Sequence, residues 1–233
     1  MNINSENSSL NSKVVYDLTK FTHLDYPNQL ACIVWLSGCN MRCSYCYNAD
    51  IVYARNGSLS FNDVLDFLKT RIGKLNAVVL SGGEATTHKL LEFCQEIKKL
   101  GFKIKLDTNG TNPQQVKELY DAKLLDFLAL DYKAPKSKYL SITKSIKYDE
   151  FSQTLNFLLA SRLEFEVRTT LHADLLNEDD INNIIIDLVK RGYKKNYYIQ
   201  EFMDTRTNIG DMSKASKKFD NAKLFSDLNI IFR

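Results

Sequence analysis

The sequence predicts an α/β fold, a partial (β/α)6 TIM-like barrel with a parallel sheet and outer helices. Three observations lead there. Short apolar runs alternate with amphipathic segments of helical period along most of the 233 residues, the pattern of parallel strands joined by helical crossovers. Nearly every apolar run is followed at once by glycine and polar residues suited to holding a ligand. Parallel α/β folds build their sites in the loops after the C-terminal ends of strands. The length suits one domain with a sizeable core. An open doubly wound sheet shares the alternation, and the convergence of polar motifs on one mouth favours the barrel.

The elements follow in order. Residues 1–13, rich in Asn and Ser and lacking an apolar core, read as a disordered lead-in rather than a targeting peptide, and 14–233 as a single domain. The strands are expected at 31–36, 77–80, 103–106, 127–130, 165–170 and 197–199. Ser60, with Asp63 three residues on, caps a helix over 61–72, and Asn112 before Pro113 opens one over 114–123. Apolar residues at helical spacing mark 149–161 and 178–191, the latter stopped by Gly192. A last helix is expected over 214–228, before the short apolar end Ile230-Ile231-Phe232.

Composition narrows the function classes. Hydrophobic content of 44% and charged content of 25% are ordinary for a soluble globular chain. A net charge of +3 is too small to argue for nucleic acid or an anionic membrane. No run approaches the roughly 18 apolar residues a membrane helix needs. The expectation is a cytoplasmic protein with neither nucleic acid nor membrane as partner.

Three of the five cysteines sit in Gly38-Cys39-Asn40-Met41-Arg42-Cys43-Ser44-Tyr45-Cys46, directly after the first strand. The spacing C-x3-C-x2-C lets three thiolates hold three irons of a [4Fe–4S] cluster and leaves the fourth iron open. Electron-transfer clusters have four protein ligands, and an open metal position marks a site that binds substrate. A packed helix face would tolerate the same spacing, but Gly38, Asn40, Arg42 and Ser44 interrupt it. Zinc wants a fourth nearby ligand, and a disulfide scaffold wants an even count and an oxidising compartment. Cys32, in an apolar strand, and Cys94, in a helix, read as buried small residues. His23, His88 and His172 match no ligand spacing and read as structural or surface residues.

The strands that follow carry Ser81-Gly82-Gly83-Glu84, Asp107-Thr108-Asn109-Gly110 and Asp131-Tyr132-Lys133. Two successive glycines let backbone approach a ligand closely. Alone, Gly-Gly-Glu is a strand-to-helix turn and Asp107 before Asn-Gly a turn former. Arg168, in Glu166-Val167-Arg168-Thr169-Thr170, has the fork to pair with a carboxylate, of a ligand or of another strand.

With Leu24-Asp25-Tyr26-Pro27 and Asp131-Tyr132-Lys133-Ala134-Pro135, these motifs resemble the radical S-adenosylmethionine enzymes. From about Leu18 onward the chain looks like the activating proteins of anaerobic ribonucleoside-triphosphate reductase, in the branch of the pyruvate formate-lyase activating enzymes. It departs from them at Tyr47, where His is usual, at Ala85 in place of Pro, and at Asn28 in place of Gly. The resemblance implies one [4Fe–4S] cluster on Cys39, Cys43 and Cys46, which are also the catalytic residues, and S-adenosylmethionine on its open iron. It implies that Gly82, Gly83 and Glu84 receive the amino group of the methionyl end. Asp107, Thr108, Asp131 and Lys133 would line the pocket, Arg168 meet the methionyl carboxylate, Tyr45 lie along the adenine and Gln200 close the mouth. The implied partners are a glycyl radical enzyme and a low-potential donor such as flavodoxin or ferredoxin. A small-molecule radical enzyme, such as a 7-carboxy-7-deazaguanine synthase, is similarly short but carries Asp-Thr where this chain has Tyr47-Asn48. A metal-binding module without turnover and a peptide-modifying radical enzyme are further alternatives, the latter usually richer in C-terminal cysteines.

Overall fold

The computed structural model describes residues 9–233. The strands are β1 (Val15–Thr22), β2 (Ala31–Leu36), β3 (Ala77–Gly82), β4 (Lys103–Thr108), β5 (Phe127–Asp131), β6 (Phe165–Leu171), β7 (Tyr197–Glu201) and β8 (Ile230–Phe232). The helices are α1 (Ala49–Tyr53), α2 (Phe61–Lys69), α3 (Leu91–Lys99), α4 (Pro113–Asp121), α5 (Lys136–Thr143), α6 (Tyr148–Ala160) and α7 (Glu178–Lys190). Every strand expected from the sequence is present. Several run one or two residues further, because Ser81, Gly82, Asp107, Thr108 and Asp131 stay in the extended chain before the loop begins. Residues 1–8 of the expected lead-in lie outside the described residues. Residues 9–11 are not disordered as expected: they form a 3₁₀ turn, and the Ser9 hydroxyl donates to Glu92 at 2.6 Å.

The described chain falls into two compact units interleaved along the sequence. The first comprises residues up to Asn40, Asp50–Thr108 and Gln114–Leu128. In it β2, β3 and β4 are parallel neighbours, Ala31 facing Ala77 and Ala77 facing Lys103. β2 and β3 are almost wholly buried, as strands covered on both faces must be. A capping box between Ser60 and Asp63 starts α2, and Phe61 stacks on Phe93 of α3 with ring centres 4.1 Å apart. On the other face Tyr26, Ile33 and Val79 pack with Trp35 and Phe127. β1, unexpected from the sequence, runs antiparallel to β2 with irregular register on both sides of 17–19. Those irregularities break the period-2 alternation that would have announced it.

The second unit comprises Met41–Ala49, Asn109–Pro113 and Ala129–Arg233. Here β6, β7 and β8 are parallel, Val167 facing Tyr197 and Tyr197 facing Ile230. Helix α7 opens on a capping box of Asn177 and Asp180, and Gly192, at φ 88°, follows its end. The helix expected over 214–228 does not form; only a 3₁₀ turn at Asn221–Lys223 remains. Side chains intercept its backbone. Asp174 accepts from the Ser216 and Lys217 amides, Glu178 from the Asp220 amide, and Asn182 from the Phe225 amide. Of that stretch only Leu228 is buried, so no apolar face repays helix formation. No helix among the described residues is long and apolar enough to cross a membrane.

Candidate functional site

In the first unit, β2 delivers the chain to Ser37, Gly38 and Cys39. Gly38, at φ 78°, turns it, and its amide donates to the Ile51 carbonyl at 2.8 Å. The Gly-Gly-Glu turn packs backbone to backbone on this start. The Gly83 amide donates to the Leu36 carbonyl and the Glu84 amide to the Gly38 carbonyl, both at 2.9 Å. A Cβ on Gly82 would stand 2.3 Å from the Leu36 nitrogen, and one on Gly83 only 1.9 Å from the Gly38 oxygen. Gly82 is therefore fixed by contact with the end of β2 and Gly83 by contact with the start of the cysteine segment, beyond any need for a turn.

Glu84 is buried, and one carboxylate oxygen accepts from the Thr86 amide at 3.0 Å, the Thr86 hydroxyl at 2.6 Å and the Thr108 hydroxyl at 2.7 Å. That oxygen braces its own turn and ties it to the end of β4. Asp107 receives Lys105 Nζ at 2.8 Å and the Ser81 hydroxyl at 3.2 Å, and Lys105 also donates to the Asp25 carbonyl. His88 Nε2 lies 2.7 Å from the Ser37 carbonyl, two residues before Cys39. A carbonyl only accepts, so the neutral tautomer with hydrogen on Nε2 is fixed. Burial also holds His88 below the ordinary imidazole range.

In the second unit the cysteine segment continues through Cys43, Tyr45 and Cys46. The Arg42 and Ser44 amides donate to the carbonyls of Thr143 and Ile142 at the end of α5. Cys43 and Tyr45 are buried and Cys46 partly so. Burial pushes the Cys43 thiol up, against the pull of the nearby Lys133 cation. The Tyr45 hydroxyl is buried with no hydrogen-bond partner of ordinary geometry among the described residues, and burial raises it strongly. Lys133 Nζ lies 5.9 Å from its ring centre. Asp131 joins two cations: Arg168 Nε at 2.5 Å and Lys133 Nζ at 3.0 Å. Burial alone would raise Asp131, but these two cations outweigh it and hold the carboxyl well below the usual range. Arg168 thus pairs across strands with Asp131, while Glu166 pairs with Arg233 at 2.6 Å. Gln200, one residue before the end of β7, lies opposite Thr170 and is half-buried.

None of the five cysteines forms a disulfide. Among the described residues no three His, Cys, Asp or Glu side chains gather to hold a single metal ion. A cluster asks for something else, since each thiolate binds a separate iron. Two features fit one: thiols on a loop whose backbone is tied down on both sides of Asn40, and glycine backbone in contact with its start.

Sequence reasoning missed Lys105, Thr86 and the segment around Gly210. Lys105 lies two residues before the motif that begins at Asp107, and nothing in the sequence signalled its burial. The Ile209 and Gly210 amides donate to the carbonyls of Cys46 and Ser44, at 3.0 and 2.8 Å.

The profile of the Radical SAM superfamily matches residues 33–197. A protein of Methanocaldococcus jannaschii, named as a candidate glycyl-radical enzyme activating enzyme, is 29% identical over 241 aligned residues, 94% of this chain and 98% of its own. The 7-carboxy-7-deazaguanine synthase of Aquifex aeolicus is 30% identical over 77 residues, 33% of this chain and 34% of its own. Among solved structures, SuiB of Streptococcus suis bound to S-adenosylmethionine superposes with a TM-score of 0.66 at 14% identity, over 86% of this chain. This chain spans 49% of that structure's length. The likeness shows the fold expected from the sequence, an α/β architecture with a parallel-dominated sheet and surrounding helices.

Proposed function

The chain belongs to the Radical SAM superfamily, and from that premise we propose that it is the activating enzyme of a glycyl radical enzyme, with anaerobic ribonucleoside-triphosphate reductase as the partner. What supports the activase reading is an alignment that runs nearly end to end along both chains with a protein of that name, where the deazaguanine synthase aligns over a third.

In this reading Cys39, Cys43 and Cys46 ligate three irons of one [4Fe–4S] cluster. When bound, that cluster supplies the electron for reductive cleavage of S-adenosylmethionine into methionine and a 5′-deoxyadenosyl radical. The chain's own residues bind, orient and exclude water. The Gly82-Gly83 backbone, held against the cysteine segment, accepts from the methionyl ammonium, and Glu84 keeps that turn rigid through Thr86 and Thr108. The Arg168 guanidinium, fixed by Asp131, pairs with the methionyl carboxylate. Lys133 sets the charge beside Tyr45, which lies along the adenine. Asp107 and Thr108 face the sugar, and Gln200 closes the mouth. The hydrogen abstracted comes from a backbone glycine of the partner, and a flavodoxin or ferredoxin provides the electron.

The test is anaerobic. The reconstituted protein, reductant and S-adenosylmethionine are mixed with candidate glycyl radical enzymes, and 5′-deoxyadenosine and the glycyl radical signal are measured. Both should appear together with one partner and vanish in Cys39→Ala, Cys43→Ala or Cys46→Ala. 5′-Deoxyadenosine formed with a small deazapurine precursor, and no protein radical with any partner, would decide for the synthase-like reading, which the local likeness over 77 residues supports.

A further inference from the structure

We propose that residues 213–219 are the docking surface for an acidic one-electron donor protein, an inference that rests on the cysteine segment holding a redox cluster. The segment is strapped to that site. Just before it, the Ile209 amide donates to the Cys46 carbonyl and the Gly210 amide to the Ser44 carbonyl. A Cβ on Gly210 would stand 2.8 Å from that of Ser44, so the strap and the cysteine peptide are in direct contact. Lys214 follows Gly210 by four residues, which puts its Cα within about 14 Å of Gly210 at most.

The strap has almost no regular secondary structure, yet it is pinned. Asn208 bonds both the amide and the carbonyl of Met212, at 2.7 and 2.6 Å. His172 Nε2 donates to the Ser213 carbonyl at 2.8 Å. Asp174 takes the Ser216 amide and hydroxyl and the Lys217 amide, and Glu178 takes the Asp220 amide. Asp174 and Glu178 are thus engaged with the backbone of this stretch.

What this pinned backbone displays is charge. Lys214, Lys217 and Lys218 are exposed and make no ion pair among the described residues, and residues 213–219 contain no Asp or Glu. Elsewhere on the surface some lysines pair with carboxylates, such as Lys69, Lys99 and Lys136, and others among the described residues, such as Lys190 and Lys194, do not. What sets the strap apart is three lysines within five residues on a backbone tied to the cysteine segment. Asp211 and Asp220 flank the stretch, and Lys223 is paired with Asp220. Three unpaired cations on an immobilised loop steer a negative surface to the peptide that carries Cys46. The step is a bare electron transfer: the donor is oxidised by one electron, the cluster reduced by one, and no bond or proton changes hands.

The test compares the reconstituted full chain with its Lys214→Glu/Lys217→Glu/Lys218→Glu variant. Cluster reduction is followed anaerobically by loss of visible absorbance, with a reduced acidic flavodoxin and separately with photoreduced deazariboflavin. With flavodoxin at low salt the variant should be slower by about tenfold or more, the gap closing towards 1 M salt as charges are screened. With the small reductant the two should agree, and a Lys→Gln triple variant should fall between them. Wild-type rates with flavodoxin, or equal slowing with both reductants, would overturn the docking surface. Wild-type protein that accepts an electron from neither reductant would instead remove the cluster reading on which it rests.

Discussion

Replacing Gly83 with Ala puts the contact between the Gly-Gly-Glu turn and the cysteine segment under a direct load. The new Cβ would lie 1.9 Å from the Gly38 oxygen, and real Cβ atoms stay beyond 3.0 Å. One of the two backbones must therefore retreat by at least about 1.1 Å, the difference of those distances, and the obstacle is backbone with no rotamer to yield. The retreat breaks or lengthens the two 2.9 Å bonds from the Gly83 and Glu84 amides, each worth about 1 kcal/mol net. Overpacking strain adds about 1–3 kcal/mol. A loss of about 3–5 kcal/mol lowers the midpoint of a chain this long by roughly 6–20 °C. Gly101→Ala is the contrast: Gly101 has positive φ, 88°, which Gly83 does not, but nothing lies within 4 Å of its Cβ, so only the left-handed backbone cost of about 1 kcal/mol applies. The assays are thermal unfolding of the apoprotein and iron per chain after reconstitution. Gly83→Ala should lose both stability and iron, Gly101→Ala only a little stability. Equal midpoints and full iron in both variants would refute the claim that this packing shapes the cysteine loop.

Three further outcomes follow from the same geometry. Asp131→Asn leaves Arg168 and Lys133 without their shared carboxylate and should cost about 3–5 kcal/mol at pH 7. Because the folded carboxyl is held below its unfolded value near 4, its contribution is whole above that pH and is lost as pH falls below it; urea titrations from pH 8 to 3 should show the gap between variant and wild type constant to about pH 5, then closing. Alkylation of the native apoprotein at pH 8, read by mass spectrometry, should label the partly exposed Cys39 and Cys46 first. It should spare Cys32 and Cys94, whose thiols burial pushes up to about 12. On the proposed cofactor site, Arg168→Ala should retain iron but bind S-adenosylmethionine at least about tenfold more weakly by equilibrium dialysis, since it would remove a charge-assisted contact of about 1.5–3 kcal/mol, and Lys133→Ala should retain iron and weaken binding through the lost charge beside Tyr45.

Much of this was legible because the informative residues state their physics locally. An apolar run such as Ala31–Leu36 has few options in a chain that alternates strands and helices, and its ladder with β3 follows. Ser60 and Asp63 announce a helix start through a reciprocal bond that needs no knowledge of the tertiary fold. The helix expected over 214–228 failed for the opposite reason. Its sequence offered helical spacing, and the outcome was decided by Asp174, Glu178 and Asn182, residues some forty positions earlier whose carboxyl and amide groups take its backbone amides. Propensity is a weak prior where no buried face rewards the helix.

The candidate site divides along the same line. Cysteines, glycines and charged residues at strand ends could be named because side-chain chemistry is written in the residue type. What holds them is mostly backbone: the Gly38 carbonyl under Glu84, the Leu36 carbonyl under Gly83, and the Ser44 and Cys46 carbonyls under the strap. A peptide carbonyl is the same at every position, so no pattern of letters marks those acceptors. The exception shows the rule. Glycine marks a backbone contact by what it lacks, and Gly83 and Gly210 are the two places where a Cβ would strike the cysteine segment. One was found because it sat in a dense motif, and the other went unnoticed because it stood alone between the last internal strand and the expected helix.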